Sequence, residues 1–283
     1  MDSDRYSIHF SPLQGYTDRI YRNAFAHYFG GVEVYYTPFI RVEKGALRKR
    51  DLRDIEPETN TVADLIPQIL PGSADEFRLL TDAVGGKGYR QIDINLGCPF
   101  PMIAGKHKGA GMLLYPAQVA EVLAPIAEYP EIQFSLKMRL GWENASECMV
   151  LVELLNTLRL SRIALHARTG KQQYKGHPDL EAFQGFYELC QHPLYYNGDI
   201  ESLSDIRQIL IRFPLLKGVF IGRGLCLRLC WLRNLKEMKL FCPNNVCQYI
   251  LPSMKSFFQP IPRYFRRNSI AGEDEDLVGI FFA

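Results

Sequence analysis

The chain has 283 residues, of which 47% are hydrophobic, and its 33 basic residues nearly balance its 31 acidic residues. This length and apolar content suit one large α/β domain, or a barrel with a small appendage. The charge balance excludes attraction of nucleic acid by a global field, so such a partner would need local basic patches. Residues 1–10 lack the pattern of a signal peptide. No apolar run approaches the ~20 residues that span a bilayer, so we expect a cytoplasmic protein with no membrane partner.

Cysteine usage favours a reducing compartment. The chain has 7 cysteines at irregular spacings, and an odd, irregular set favours free thiols over a disulfide scaffold. Four of them lie near the end of the chain, at Cys226, Cys230, Cys242 and Cys247. Their spacings fit no common zinc or iron–sulfur pattern, and no paired carboxylates suggest a cation site. We therefore expect no metal.

Short apolar runs alternate with longer stretches of helical period. The runs predict strands at residues 6–12, 32–38, 64–70, 91–97, 132–138, 162–167, 193–198 and 218–224. Helical patterns between them include residues 75–88, 116–129, 147–160 and 202–213, with aspartate, serine or proline near several of their starts. Eight strand–helix repeats in about 225 residues predict an α/β protein with the (β/α)8 TIM-barrel fold. A doubly wound open sheet is the alternative.

Polar residues recur where the predicted strands end. The set is Gln14, Gln68, Asn95, Cys98, Lys137, Arg139, His166, Arg168, Asn197, Asp199 and Arg223. The carboxyl ends of barrel strands share one face, so these side chains should converge on one mouth. Ordinary loop polarity is the alternative for individual members of the set, but it does not explain why so many of them follow strand ends.

The last two predicted strands end in features typical of a phosphate site. Gly222 and Gly224 flank Arg223, so this turn can offer backbone N–H groups and a forked guanidinium to an anion. Asp199 follows the preceding strand. In barrels, the loops after strands seven and eight are the usual place for a phosphate group. A tight turn without a ligand is the alternative.

Cationic residues mark the fifth and sixth strands. Lys137 and Arg139 share one face of their strand, because side chains alternate between faces. A lysine that points into a barrel is costly unless it meets an anion, and a cofactor with an anionic reduced form would supply one. His166 and Arg168 share a face of the adjoining strand, which favours a site over a buried structural histidine.

Cys98 lies in the stretch DINLGCPFPMIAGKHKGAGMLL, residues 93–114, after the fourth strand. A buried structural thiol is the ordinary role of cysteine, and a nucleophile would need a base, which is absent from the neighbouring sequence. A general acid fits better, because an ordinary thiol stays protonated near neutral pH. Such a thiol can protonate a carbon when hydride reaches the adjacent carbon from the opposite face. Gln68 and Asn95 add amides that can bind the edge of a heterocycle.

Seven segments, taken together, resemble the tRNA-dihydrouridine synthase family. They are SPLQGYTD (11–18), PQILPG (67–72), DINLGCPFPMIAGKHKGAGMLL (93–114), LKMRLGW (136–142), IALHARTGKQQYKG (163–176), NGDI (197–200) and IGRG (221–224). The Asn-x-Gly-Cys-Pro stretch, with its downstream lysine and Gly-x-Gly, is highly specific. The resemblance implies an FMN-binding barrel followed by a small helical domain. It also implies reduction of the 5,6 double bond of uridine in tRNA, with NADPH or NADH as hydride source.

The resemblance assigns roles to individual residues. Cys98 is expected to be the catalytic proton donor. The residues expected to contact FMN are Pro12, Leu13, Gln14, Gln68, Lys137, His166, Asn197, Gly198, Asp199, Gly222 and Arg223. The residues expected to contact tRNA are Asn95, Lys106, Arg139 and Arg168. Basic residues at 41–54, 105–109 and 168–176 are expected to rim the same face and bind phosphates, with a solvated, charge-balanced surface as the alternative.

The resemblance stops after Gly224. We expect residues 1–225 to form the FMN-binding catalytic barrel, and residues 226–283 to form a degenerate or truncated helical tRNA-binding region. That tail is rich in Cys, Pro and Phe, with weak helical period. Parts of it can be encoded so that a shifted frame gives helical sequence, which leads to the hypothesis of a frameshift. Codons incompatible with the shifted frame would exclude it.

Two other functions stay open beside the leading one. The first is an FMN barrel that reduces a free pyrimidine or another enone, and activity on free uracil without activity on tRNA would favour it. The second is a catalytically weak tRNA-binding protein, which a colourless sample that takes up no FMN would favour. In each case we expect a monomer.

Overall fold

The structure, a computed structural model, describes residues 6–227 and contains one large parallel sheet and one small hairpin. The strands are β1 (Ser7–Phe10), β2 (Val34–Tyr36), β3 (Val42–Glu43), β4 (Ala46–Leu47), β5 (Leu65–Ile66), β6 (Gln68–Ile69), β7 (Gln91–Leu96), β8 (Gln133–Gly141), β9 (Leu160–Thr169), β10 (Leu194–Asn197) and β11 (Gly218–Ile221). The antiparallel hairpin is β3–β4, and the other nine strands form the sheet.

The nine strands close into the expected barrel. β5 and β6 are the two ends of the sheet, yet only Pro67 separates them in the chain. β5 pairs with β2 and β6 pairs with β7, so together they form the third barrel strand. Proline has no N–H to give to a ladder, which explains why this strand is divided. The open-sheet alternative is therefore wrong, because the two ends of the sheet meet.

The fifth and sixth barrel strands run further than predicted. β8 continues to Gly141 and β9 to Thr169, and the two pair along nearly their whole length with a register shift near Arg139. Arg139 and Arg168 therefore lie within strands and not in the loops that follow them. This difference decides how both arginines are buried.

Side-chain alternation gives the barrel an apolar outside and a largely polar inside. On β7, Ile92, Ile94 and Leu96 are fully buried, while the residues between them hydrogen-bond across the barrel interior. Beneath this polar layer, an apolar cluster drawn from four strands fills the barrel: Val34, Tyr36, Ile66, Ala164 and Phe220. The core thus supports a polar floor at the carboxyl ends of the strands.

Helices cover the outside of the barrel. They are α1 (Arg19–Tyr28), α2 (Lys49–Asp54), α3 (Ala74–Gly85), α4 (Pro101–Ala104), α5 (Pro116–Leu123), α6 (Glu147–Thr157), α7 (Leu180–Leu189), α8 (Leu203–Arg212) and α9 (Arg223–Leu227), with 3-10 helices at Pro57–Thr59, Gly109–Leu114 and Ala124–Glu128. Four of them begin at a side chain that accepts a backbone N–H of the first turn, namely Asp18, Ser73, Asp179 and Ser202.

The predicted helix at 116–129 is two elements. α5 ends at Leu123 and a 3-10 helix continues to Glu128, with Pro125 near its start. Proline cannot donate the bond that a continuing α-helix needs there. Among the described residues, none of the helices is both long and apolar enough to cross a membrane. The predictions for residues 228–283, including Cys230, lie outside the described residues.

Two glycine substitutions test the barrel closure. A Cβ on Gly218 of β11 would lie 2.1 Å from the Ser7 carbonyl oxygen of the paired strand. Gly218→Ala should therefore lower the free energy of unfolding by about 3 kcal/mol, because two strands must separate. The control is Gly185→Ala in α7, where the new methyl meets only the Met149 side chain, at 3.7 Å.

Because Gly185 lies in a helix interior, its replacement should raise stability by about 0.5–1 kcal/mol. Urea unfolding followed by circular dichroism measures the free energies of unfolding of both variants. Equal stabilities for the two variants would contradict the close approach of β1 and β11.

Candidate active site

A cavity of about 880 Å³, continuous with solvent at its mouth, lies at the carboxyl ends of the barrel strands. Each of the eight barrel strands, or the loop after it, contributes a wall residue: Ser11, Phe39, Gln68, Asn95, Lys137, His166, Asn197 and Gly222. Polar residues at the strand ends therefore meet at one mouth of the barrel, as predicted.

A chain of hydrogen bonds forms one side of the cavity floor. Gln68 Nε2 donates to Asp93 Oδ2 at 2.7 Å, and Asn95 Nδ2 donates to Gln68 Oε1 at 2.8 Å. Asn95 Oδ1 accepts the backbone N–H groups of Gly97, at 3.0 Å, and Cys98, at 2.9 Å. The two amides predicted to bind a heterocycle are thus linked to each other and to the cysteine loop.

Cys98 lies on the cavity wall with its backbone fixed on both sides. Its carbonyl accepts the Ala110 N–H at 3.0 Å. Gly109 has φ +57°, and a Cβ there would lie 2.8 Å from the Cys98 carbonyl oxygen, so only glycine fits this close approach. The side chain packs against an apolar cluster that includes Phe39 and Ile103.

The surroundings of Cys98 keep its thiol protonated. Burial raises the pKa of Cys98 above the ordinary thiol value, and the opposing attraction of nearby Arg139 and Lys137 is the smaller effect. A group with a raised pKa binds its proton more firmly at neutral pH. This environment suits a general acid and does not suit a thiolate nucleophile.

Lys137 lies in the cavity floor on β8, beside Asn95 of the paired strand β7. Its Nζ donates to Asn197 Oδ1 at 2.9 Å, and Asn197 Nδ2 donates to the Phe220 carbonyl at 2.7 Å. Burial, with repulsion from Arg139, lowers the pKa of Lys137 to about 8. Lys137 therefore remains mostly charged at neutral pH, and it can attract an anionic ligand or release a proton slightly above neutral.

His166 is buried and neutral. Burial first, and then four surrounding cations, lower the pKa of His166 well below its ordinary value. Its Nε2 lies 3.3 Å from Arg168 Nη1. A guanidinium can only donate, so Nε2 is the acceptor and the ring proton resides on Nδ1. His166 is therefore a neutral donor in the wall of the cavity.

Arg139 lies at the edge of the cavity, with most of its surface buried. Its Nε donates to the Gly97 carbonyl at 2.9 Å, and its Nη1 donates to the carbonyls of Thr169, at 2.9 Å, and Gln173, at 2.7 Å. Burial lowers its pKa to about 10, so Arg139 stays cationic at neutral pH. Arg139 ties the cysteine loop to the loop after β9.

Asp199 links two arginines at the end of the cavity formed by β10 and β11. Arg168 donates to both of its carboxylate oxygens, and Arg223 Nη2 donates to Oδ1 at 2.9 Å. These arginines hold the pKa of Asp199 below its ordinary value. Asp199 has φ +33°, a strained conformation for a non-glycine residue that neighbouring contacts must maintain. The guanidinium of Arg223 lies 4.5 Å from the ring centre of Tyr174.

With this geometry established, similarity to known proteins decides the family. The chain matches the family model described as dihydrouridine synthase (Dus) over residues 9–255. The chain belongs to the dihydrouridine synthase family. The match confirms the resemblance found in the sequence, and it runs past Gly224, where we expected the resemblance to stop.

Two curated members of the dihydrouridine synthase family match most of this chain. The tRNA-dihydrouridine synthase B of Vibrio parahaemolyticus is 27% identical over 219 residues, which are 75% of this chain and 66% of that protein. The tRNA-dihydrouridine synthase B of Pseudomonas putida is 27% identical over 224 residues, which are 78% of this chain and 65% of that protein. The aligned part of the chain thus spans just under two thirds of the length of these relatives.

A solved structure supports the barrel. A variant of NCR from Zymomonas mobilis superposes with a TM-score of 0.57 at 13% identity, over 86% of this chain and 89% of that one. At this identity the similarity concerns the fold alone. It agrees with the closed parallel barrel described above.

Of the site residues predicted for this dihydrouridine synthase family member, all but two line the cavity. Arg168 lies behind the wall, where it is 1% exposed and its donors are taken by Asp199 and by the carbonyls of Lys175 and Gly176. Lys106 is exposed on the loop after α4, outside the cavity. A contact of either residue with tRNA stays a prediction.

The predicted basic rim is partly charge-balanced. Several of its members lie in ion pairs: Arg41 with Glu43, Arg48 with Glu43 and Asp51, Lys108 with Glu76, and Lys171 with Glu143. Others are exposed on the surface, namely Lys44, Lys49, Arg50, Arg53, Lys106 and Lys175. The exposed group is the part of the rim that can offer charge to phosphates at low cost.

Three residues of the site were not singled out from the sequence. Asp93 lies within residues 93–114, which resemble the family, but its position in a predicted strand gave no sign of a role in the site. Tyr174 lines the mouth, and Phe39 lines the wall beside Cys98. For Tyr174, the resemblance of residues 163–176 was a usable signal. Phe39 follows a short strand with no polar neighbour that marks it.

The ionisation of Cys98 yields a prediction. Because Lys137 attracts the thiolate, Lys137→Met should move the pH dependence of Cys98 alkylation to higher pH and slow the reaction at pH 8 about threefold. Iodoacetamide labelling followed by peptide mass spectrometry measures the rate. Lys106→Met, at an exposed position outside the cavity, is the control and should leave the profile unchanged. An equal or faster rate in Lys137→Met would contradict the proximity of the two groups.

Proposed function

We propose that this chain is an FMN-dependent tRNA-dihydrouridine synthase that reduces the uracil 5,6 double bond of uridine in tRNA, with NADPH or NADH as hydride source. The observation that carries the proposal is the protonated Cys98 thiol on the wall of a cavity that is lined by amides and cations. A proton donor in such a site suits addition of hydrogen across a polarised carbon–carbon double bond. Membership of the dihydrouridine synthase family supports the same conclusion.

The residues around the cavity fit FMN. The donor set contains two cations, Lys137 and Arg223, and the neutral donor His166, which suit a heterocycle with an anionic reduced form and a phosphate tail. Lys137, His166 and Gln68 would hold the ring system. Gly198 has φ +148°, a backbone conformation that favours glycine, in the turn that precedes Asp199. The full set that would hold the cofactor is Pro12, Leu13, Gln14, Gln68, Lys137, His166, Asn197, Gly198, Asp199, Gly222 and Arg223.

One member of that set, Asp199, acts on the phosphate end indirectly. A carboxylate repels phosphate, so Asp199 contributes through Arg223, whose guanidinium it holds at 2.9 Å. Arg168 in turn holds Asp199 from behind the wall. In barrels this end, after strands seven and eight, is the common place for a phosphate group.

Once reduced by NADPH or NADH, bound FMN would supply hydride to C6 of the uracil. Cys98 then donates its proton to C5, so one hydride and one proton complete the reduction. Asn95 uses its remaining amide hydrogen to hold the base. The charge that develops on the base is stabilised by Arg139, which lies at the same wall.

The target uridine must leave its stack to enter the cavity. Loops of RNA make this step easier because their bases are already partly unstacked. The exposed basic residues of the rim, such as Lys49, Arg50 and Lys106, then bind the flanking phosphates. The protein would act as a cytoplasmic monomer, with residues 1–225 as the catalytic domain and residues 226–283 as a degenerate tRNA-binding region.

The test of this function uses the full chain. Purified protein is mixed with FMN, NADPH and unmodified tRNA, and dihydrouridine is mapped by mass spectrometry, alongside tRNA from cells with and without the gene. Dihydrouridine that depends on the protein supports the proposal. Reduction of free uracil without reduction of tRNA would favour a small-molecule reductase, and a colourless protein that only binds tRNA would favour the non-catalytic alternative.

Removal of the proton donor gives a sharper prediction. Cys98→Ala should retain FMN and accept hydride from NADPH, because the FMN-contacting set does not include the thiol. Its formation of dihydrouridine in tRNA should fall about 10²–10⁴-fold, the usual contribution of a general acid. Visible absorbance and tRNA mass spectrometry measure the two properties. Cys190→Ala, a cysteine at the end of α7, is the control, and full turnover by Cys98→Ala would remove Cys98 from the acid role.

A further inference from the structure

Asp93 is the least exposed acidic group beneath the cavity. It is fully buried in β7, and both of its carboxylate oxygens accept hydrogen bonds, Oδ2 from Gln68 at 2.7 Å and Oδ1 from Ser135 at 2.6 Å. Burial raises the pKa of Asp93 above its ordinary value, and the hydrogen bonds from Gln68 and Ser135 with the attraction of Lys137 and Arg162 oppose that effect. Asp93 is absent from the cavity wall, so any effect on a ligand must pass through its partners.

With Asp93 ionised, the hydrogen bonds that start at its carboxylate have one possible direction. A carboxylate only accepts, so Gln68 must turn its NH₂ group towards Asp93 and its carbonyl oxygen towards Asn95. Asn95 must then donate with its NH₂ group, at 2.8 Å, and its own oxygen faces the backbone N–H of Cys98, at 2.9 Å. The orientation of both amides follows from one acidic group two residues before Asn95.

We propose that Asp93 is a positioning residue that, through Gln68 and Asn95, sets the orientation of the amides facing the ligand and holds the loop that carries Cys98. The proposal rests on the proposed function for the roles of Gln68, Asn95 and Cys98. Without the acceptor, the Gln68 amide can rotate, and Asn95 loses the partner that keeps its oxygen on the Cys98 N–H. The hydrogen bonds from Arg139 to Gly97 and from Ala110 to Cys98 then remain, together with the packing of Cys98 on its apolar cluster.

Asp93→Asn and Asp93→Leu separate this role from simple filling of space. An asparagine can accept from Gln68 with its oxygen while its NH₂ group donates to the Ser135 hydroxyl, so the chain of bonds survives. A leucine of similar size leaves Gln68 Nε2 without its acceptor. Gln68→Met breaks the same chain one link further along, and Ser135→Ala removes the other bond to Asp93 while the chain stays intact.

The first measurement is alkylation of Cys98 in the ligand-free protein, which does not depend on activity. Asp93→Leu and Gln68→Met should raise the rate about fivefold or more, because a loosened loop exposes the thiol. Asp93→Asn and Ser135→Ala should stay within about twofold of the wild-type rate. Cys148, which is fully buried in α6, is the internal control for global unfolding and should keep its rate in every variant.

The double variant Asp93→Leu/Gln68→Met decides whether the two residues act in one chain. If Asp93 acts through Gln68, the double variant alkylates no faster than the faster single variant. Independent structural effects would multiply, and that result overturns the proposal. If Asp93→Leu and Gln68→Met each alkylate within about twofold of the wild-type rate, that result also overturns the proposal. Labelling of Cys148 would reveal whether Asp93→Leu fails to fold. In that case the Cys98 alkylation rates of Gln68→Met and Asp93→Asn decide whether the proposal holds.

The second measurement is dihydrouridine formation in tRNA. Asp93→Leu should lower kcat about 10–10²-fold, because a misplaced proton donor is costly, and Asp93→Asn should recover most of it. If the wild-type protein forms no dihydrouridine, the proposed function fails, while the alkylation rates still decide the role of Asp93. If dihydrouridine forms but Asp93→Leu equals wild type, the positioning role fails and the proposed function stands.

Discussion

Buried polar groups need hydrogen-bond partners, and this requirement shapes the catalytic face of the barrel. The inner wall of the upper barrel carries amides, a carboxylate and cations where other barrels carry aliphatic side chains. Each of them finds a partner on a neighbouring or opposite strand, as Lys137 does with Asn197 and Gln68 does with Asp93. Because a carboxylate only accepts and a guanidinium only donates, the partners also determine which way each group faces. The cavity is therefore organised before any ligand binds.

The balance of burial and charge divides the titratable groups into distinct roles. Burial disfavours the charged form of every group at the site. It raises the pKa of Cys98, lowers the pKa of Lys137 to about 8 and keeps His166 neutral. The result is a cavity in which a protonated thiol lies near a lysine that is close to its titration range. A proton donor beside a cation suits proton donation next to an electron-rich ligand.

Close backbone approaches hold the two ends of the site. Gly109 allows the loop after α4 to fold back on Cys98, and a Cβ on Gly224 would lie 2.0 Å from the Ile200 carbonyl oxygen. At the other end, Asp199 accepts hydrogen bonds from both Arg168 and Arg223. The cysteine loop and the arginine end are thus separately fixed by the strands beneath them.

The sequence by itself determined the eight strands, their order and most of the cavity wall, from Gln68 and Asn95 to Gly222. Alternation of apolar residues, strand ends and the family motifs are local signals, and in a parallel barrel all strand ends meet on one face. Only the tertiary structure decided the burial of Arg168, the division of the third strand at Pro67, and the contacts of Asp93 and Tyr174. Each depends on partners far away in the chain: Arg168 meets Asp199, and Asp93 meets Gln68. Sequence periodicity carries no information about which polar side chain accepts the bond of another.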